Sequence, residues 1–302
     1  MDTKNNLDNF LENRSELSSI RKKLQKEQRQ IRINAFLKNK LSVIGLVIVV
    51  IMILIAILAP MIATINPADM DVANRLKPPS TKHWFGTDDI GRDVYSRVIY
   101  GTRVSLFVGF SVSLISGVLG MIIGIYSSYN KILDNIFMRI CDGLKSITST
   151  LLAICLMAVL GASIKNVIIS LALVNIPNIA RVARSSAFVV REQTYIEAMH
   201  AIGAKPSRIL WIHIAPNTLS PVIVQMTFVF ASSIITEAAL SFLGAGVPAG
   251  VPSWGSILNI GRSHIYNAWW LIIYPGLFTA ISVLGLNLLG DGIRDLLDPL
   301  TN

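Results

Sequence analysis

Apolar runs of twenty residues and more recur along this chain, and they restrict its fold before any motif does. A helix needs about 20 residues to cross the roughly 30 Å hydrocarbon core of a bilayer, where every backbone polar group must be satisfied internally. Windows of that kind lie at 41–63, 103–127, 137–160, 165–183, 219–246 and 269–290. They predict an all-α integral membrane protein with six transmembrane helices. Asp142 and Lys145 fall early in the third window, and Asn175, Pro177 and Asn178 fall late in the fourth, which makes those two the weakest. Composition agrees with the reading. Of 302 residues, 52% are hydrophobic and 15% charged, and mean hydropathy is +0.57, too apolar for a soluble surface.

Lysine and arginine in the flanking segments set the orientation. The first 40 residues carry ten bases against five acids, so the N-terminus is expected in the cytoplasm and, after six spans, the C-terminus too. The segment 181–217 falls on the same side with Arg181, Arg184, Arg191, Lys205 and Arg208 against Glu192 and Glu197. The loop 64–102 lands outside, its five bases balanced by five aspartates. This gives a basic cytoplasmic segment 1–40, a first span 41–63, an outer loop 64–102, a five-helix core 103–290 and a cytoplasmic tail 291–302. The first apolar run exceeds a signal-peptide core of roughly 7–15 residues and is expected to stay attached. The polar, helix-prone stretch 12–38 reads as a cytoplasmic helix lying in water or among headgroups, with docking to a partner as the alternative. A net charge of +9 is explained by bases at cytoplasmic flanks facing anionic headgroups, so membrane lipids are partners and nucleic acid is not.

Little in the sequence carries chemistry. There is no G-x-x-x-x-G-K-[ST] loop to cradle a nucleotide, no pair among His83, His200, His213 and His264 at metal-ligand spacing, and no G-x-S-x-G elbow. Cys141 and Cys155, on one predicted helix, stand about 21 Å apart, beyond disulfide reach. No internal repeat of the kind that builds many secondary transporters is visible. In the second span Gly120 and Gly124 have the small-xxx-small spacing of close helix contacts. "GAGVPAGVPSWGSIL" before the last span reads as an ordered outer loop with turn or re-entrant character. Glu237 is the one carboxylate well inside an apolar run. It either reaches water at the outer boundary or lines a path through the membrane.

The stretch "IEAMHAIGAKPSRILWIHIAPN", 196–217, reads as a helical hairpin on the cytoplasmic side. Residues 188–201 have a helical pattern that Gly203 can close in a left-handed cap. Pro206 can open a second helix, and Pro216 is expected to end it before the fifth span. Such a hairpin either packs on its own bundle or lies in a groove on a soluble partner, with Trp211 as an apolar anchor.

The same stretch resembles the EAA loop of importer-type ABC permeases, E-A-A-x-x-x-G followed by nine residues and I-x-L-P. Glu197, Ala198, Gly203 and Pro216 match in register. Met199 takes the place of the second alanine, and His213 and Ala215 stand for the Ile and Leu, close to the "HILPN" form of the peptide and nickel subfamily. "FGTDDIGRDVYSRVIYGTRVSL" (85–106), "EAALSFLGAG" (237–246), "PSWGSILNIGRSHIYNAWWLIIYPG" (252–276) and "NLLGDGIRDLLDP" (287–299) resemble that subfamily as well. The resemblance covers almost everything from residue 38 on. It implies the type I ABC importer fold and the "C" member of a heterodimeric permease pair, in a bacterial plasma membrane. Its coupling loop, 184–217, would dock on an ATP-binding subunit.

Glu197, Ala198, Gly203 and Pro216, which match the motif, together with Lys205, Arg208, Trp211 and His213 of the same hairpin, are the coupling candidates. Glu237, Trp254 and Asn287 are candidates for the path or its gate. The implied partners are a homologous second permease, two ATP-binding subunits that hold the ATP and magnesium, and an extracytoplasmic substrate-binding protein delivering peptide to the loops 64–102 and 247–268. The chain itself is expected to hold no cofactor and no metal and to be no enzyme. Nickel or a metal chelate is the variant substrate; an ion-coupled secondary transporter is the alternative of a different class. The family often has a proline where this chain reads "LKSITSTLL", so a kink is not expected in the third span.

Overall fold

A computed structural model of the protein describes residues 39–248 and 250–297, together with Glu27, Gln30 and Leu37. The rest of the 12–38 stretch and residues 298–302 lie outside the described residues. The helices are α1 (Lys40–Ile62), α2 (Val94–Tyr129), α3 (Lys131–Lys145), α4 (Ser149–Leu160), α5 (Ile164–Arg191), α6 (Thr194–Ala201), α7 (Ala215–Phe242), α8 (Trp254–Ser263) and α9 (Trp270–Leu297). Among the described residues, five helical runs are long and apolar enough to cross a membrane: α1, α2, α5, the run Pro206–Phe242 that includes α7, and α9. A sixth crossing exists only if α3 and α4 count as one span.

Those two helices are bent by 92° at 146–148. The third span is therefore broken, and it bends without the proline whose absence had argued against a kink. Ser146 supplies a local reason. Its hydroxyl donates to the Gly143 carbonyl at 2.7 Å, a side-chain bond that competes with helix continuation, and the β-branched Ile147 and Thr148 follow. Polar side chains hold α3 obliquely against α5. Arg184 donates to both carboxylate oxygens of Asp134, through Nε at 2.5 Å and Nη2 at 2.6 Å, and Arg181 reaches Asp142 at 2.7 Å. The bend also puts Cys141 and Cys155 on different helices, correcting the single predicted one; both are free thiols.

Other boundaries move for legible reasons. α2 starts at Val94 rather than 103, because its first turns carry Tyr95, Arg97 and Thr102 and do not register as apolar. Asp93 caps it, accepting from the Ser96 amide at 2.8 Å. α9 runs to Leu297, so Asp291 is helical rather than the start of the tail. Its end is tied to the start of α1, where Asn39 caps the helix and donates to Asp295 at 3.0 Å.

Packing runs through three apolar clusters. One is central (Val108, Val112, Leu171, Val174, Val229), one surrounds Val94, Val98, Trp254 and Trp270, and one joins Ile125 and Ala187 to the 196–215 segment. The Gly120 and Gly124 spacing is used as read. A Cβ on Gly120 would lie 2.8 Å from the Ile179 side chain, and one on Gly124 would lie 2.6 Å from the Ala180 carbonyl, so α2 and α5 pack backbone to backbone.

Candidate functional site

The helical hairpin is assembled from local rules. α5 stops at Arg191, and Glu192 and Gln193 break the chain before α6, so the expected helix 188–201 is two helices. Gly203, at φ +73°, closes α6. Its amide donates to the His200 carbonyl at 3.0 Å and the Ala204 amide donates to the Met199 carbonyl at 3.0 Å, the pair of bonds of a Schellman cap. Pro206 then opens a short turn over Pro206–Arg208, as expected.

Pro216 does not end the second helix. Ile209–Ile214 winds as a π-helix, with the Ala215 amide bonded to the Leu210 carbonyl, and passes directly into α7 with Pro216 in its first turn. A proline in a continuous α-helix would strip the bond to the residue four before it and clash with that carbonyl. The wider π register absorbs the extra residue.

One face of the hairpin is buried: Ile196, Ile209, Leu210 and Ile214 pack with Ile125 of α2 and Ala187 of α5. Trp211 meets Tyr126 edge-on at 6.2 Å, and Arg191 donates to the Ser128 carbonyl at 2.7 Å. The opposite face presents Glu197, Ala198, Gly203, Lys205, Arg208 and Trp211 to solvent, beside the strongly exposed Ile202 and Ile212. His213, also a coupling candidate, is less accessible. It is half-buried, with Nε2 enclosed and unpartnered, and its carbonyl accepts from Asn217 at 2.7 Å. Six of the eight coupling candidates are thus accessible on the hairpin; Pro216 is exposed in the first turn of α7, and His213 is set into the scaffold.

The three path candidates do not come together as a lined channel within this chain. Glu237 is fully buried rather than at a wet boundary. It accepts from Ser105 of α2 at 3.0 Å and from Ser241 at 2.9 Å. Ser241 in turn accepts from the Val247 amide at 3.0 Å, which fixes the loop leading to α8. Trp254 is a packed anchor whose Nε1 donates to the Val98 carbonyl at 3.2 Å. Asn287 is half-buried on α9.

Sequence reasoning missed a second polar assembly in the outer loop. Asp88 accepts from Arg92 at 2.6 Å, with Arg97 3.7 Å away, and all three side chains are nearly inaccessible. His83 contacts Asp93 at 2.9 Å. Gly91, at φ +82°, lets the Asp71 backbone pass where a Cβ would fall 1.8 Å from its carbonyl oxygen. The Asn74 amide beside Asp71, at 2.7 Å, holds that carboxyl below the usual aspartate range. The i,i+4 spacing of Asp88 and Arg92 and the Asp93-x-x-Ser96 cap were the signals available for finding this assembly. Among the described residues no group of three His, Cys, Asp or Glu side chains could hold a metal.

Comparison with known proteins gives this geometry a family. Residues 116–302 match the model for the binding-protein-dependent transport system inner membrane component. Residues 28–79 match the N-terminal TM domain of oligopeptide transport permease C. A putative peptide transport system permease protein of Brucella suis is 46% identical over 256 residues, 85% of this chain and 86% of the relative. The dipeptide transport system permease protein DppC of Alkalihalophilus pseudofirmus is 45% identical over 266 residues, 87% and 86% of the two chains. The oligopeptide transport system permease protein OppC of Bacillus subtilis is 40% identical over 265 residues, 87% of each. The inward-facing MetNI methionine ABC transporter shares the fold at TM-score 0.56 and 20% identity, over 67% of this chain and 96% of the matched one. The chain is a multi-pass membrane permease with the type I ABC importer fold, and it belongs to the family of binding-protein-dependent transport system inner membrane components.

Proposed function

We propose that this chain is one of two permease subunits of an ATP-driven importer of oligopeptides or dipeptides, and that the hairpin 194–216 docks in a groove on an ATP-binding subunit. The observation that carries the docking assignment is the two-sided hairpin. Its inner face is bonded to α2, α5 and α7, while Glu197, Lys205, Arg208 and Trp211 face outward as partly exposed anchors. A rigid-body displacement of the docked face is passed on to three spans at once. The peptide substrate is taken from the names of the relatives at 40–46% identity. The second permease, the two ATP-binding subunits with their ATP and magnesium, and the extracytoplasmic binding protein complete the assembly. Both termini lie in the cytoplasm, and the loops between α1 and α2 and around α8 receive the binding protein. ATP hydrolysis belongs to the partners, since this chain has no phosphate-binding loop of its own.

Purification of the tagged chain from gently solubilised membranes tests this, beside a variant with 196–215 replaced by a Gly/Ser linker. Wild type is expected to bring down a homologous permease and ATP-binding subunits, and the variant to lose the latter. A wild-type chain that purifies alone and still transports after ATP depletion would overturn the importer reading. It would favour ion-coupled transport, for which the buried Glu237 offers a carboxylate.

A further inference from the structure

An apolar groove of about 490 Å³ opens on the flank of the bundle between α1 and α2, deepening toward α7 and α9. Met52, Ala56 and Ile57 form one wall and Phe107 the other, with Ser282 at the base and Arg103 at the side. Arg103 is the only charged residue in the lining. It lies nine positions into α2, about 13–14 Å along the helix axis, within a candidate membrane span. Its neighbours one and two turns on, Phe107 and Phe110, are more than half exposed, as a lipid-facing surface is.

One feature of the groove calls for a ligand. Arg103 makes no hydrogen bond and no ion pair with any described residue, whereas Arg97, fewer than two turns earlier, is set beside Asp88. A guanidinium at a lipid-facing position is costly until it reaches water or an anion. The Ser282 hydroxyl is 1% exposed and has no partner. Ser127, Ser170 and Ser233 of the neighbouring spans are buried and unpartnered in the same way. The volume fits an elongated apolar chain, and the single unpaired cation selects a negative head.

We propose that this groove is a binding site for an anionic phospholipid of the surrounding bilayer, its acyl chain against Met52, Ala56 and Phe107 and its phosphate on Arg103. Arginine suits the role because its planar fork binds phosphate with two parallel bonds. This goes beyond the importer reading and does not depend on it.

The test uses the full chain, purified with its native subunits into phosphatidylcholine nanodiscs doped with phosphatidylglycerol that carries a photoactivatable acyl chain. Labelled peptides are mapped by mass spectrometry. The expected label falls on the α1 and α2 segments around Ala56 and Phe107, and excess unlabelled phosphatidylglycerol competes it away better than phosphatidylcholine. Arg103→Gln should lower labelling about tenfold, the effect of losing one charge-assisted hydrogen bond. Arg103→Lys should retain most of it. Ala56→Phe, which fills the groove and leaves the charge alone, should abolish it. Equal competition by the two lipids, or unchanged labelling in Arg103→Gln, would overturn the proposal in favour of ordinary annular lipid. Cross-linking of α1 and α2 to a second permease in place of lipid would make the groove a subunit interface. Loss of label on adding peptide would make it part of the substrate route.

Discussion

Glu237 of α7 accepts a hydrogen bond from Ser105 of α2 at 3.0 Å, across a contact in which neither residue is accessible. Through Ser241 the same carboxyl is linked to the loop that enters α8. The group thus fastens two spans and the outer segment at one point. Glu237→Ala leaves buried hydroxyls unpaired, at about 1–3 kcal/mol each, and adds a cavity. The expected outcome is a clear drop in the thermal midpoint followed by tryptophan fluorescence in mild detergent. Glu237→Gln, which keeps the shape and one acceptor, should fall between. Equal midpoints for wild type and Glu237→Ala would show that the contact contributes nothing.

Gly203 separates backbone geometry from space. Open room surrounds a Cβ at this position, but φ is +73°. Gly203→Ala should therefore cost only the left-handed penalty, about 1–2 kcal/mol, and leave uptake nearly normal. Gly203→Pro can neither adopt that φ nor donate to His200, and should uncouple ATP hydrolysis from uptake while the chain still inserts. Glu197→Lys, an exposed change, should do the same without altering stability. Uptake per ATP hydrolysed in proteoliposomes decides; unimpaired transport in Gly203→Pro or Glu197→Lys would refute the docking role.

Asp88 holds Arg92 and approaches Arg97 where little water reaches. Removing one partner of a buried pair strands the other charge, typically at about 3–5 kcal/mol. Asp88→Ala is expected to open the 63–93 loop to limited proteolysis on the side opposite the hairpin, while the apolar core of the spans resists. Asp69→Ala, an exposed change, serves as the control. Identical cleavage of the two variants would mean that the Asp88 cluster does not hold the loop.

The spans were legible because lipid demands long apolar runs, and α1, α5 and α9 lie close to where hydropathy places them. The first turns of α2 were not. They bury polar groups against other polar groups, and hydropathy has no term for satisfied contacts such as the Ser96 amide with Asp93 or the Thr102 hydroxyl with the Val98 carbonyl. The bend at 146–148 was hidden because it arises from Ser146 bonding back to Gly143 and from α3 being held crosswise by Arg181 and Arg184, contacts some forty to fifty residues away in sequence. The hairpin was read well at Gly203 and Pro206, where a single residue type dictates a cap or a start. It was misread at Pro216, where the chain changes helical register instead of stopping. Glu237 could be located but not interpreted, since its serine partners sit on another helix and one turn away.

Pro216 sets the phase between the hairpin and the span it joins. The π segment Ile209–Ile214 accommodates one more residue per turn than α geometry allows, directly before the proline. Substitution by alanine restores an amide at 216 and removes the clash that disfavours the α register. Pro216→Ala should let the π turn relax, rotating Trp211 and Arg208 by roughly the 100° that one helical residue subtends. Burial of Ile209, Leu210 and Ile214 opposes that rotation, so the variant is expected to stay folded but populate two hairpin orientations. Spin labels at Ser207 and Ser185 read them as two distance populations, where wild type gives one. A single unchanged distance in Pro216→Ala would show that packing alone, and not the proline, holds the register.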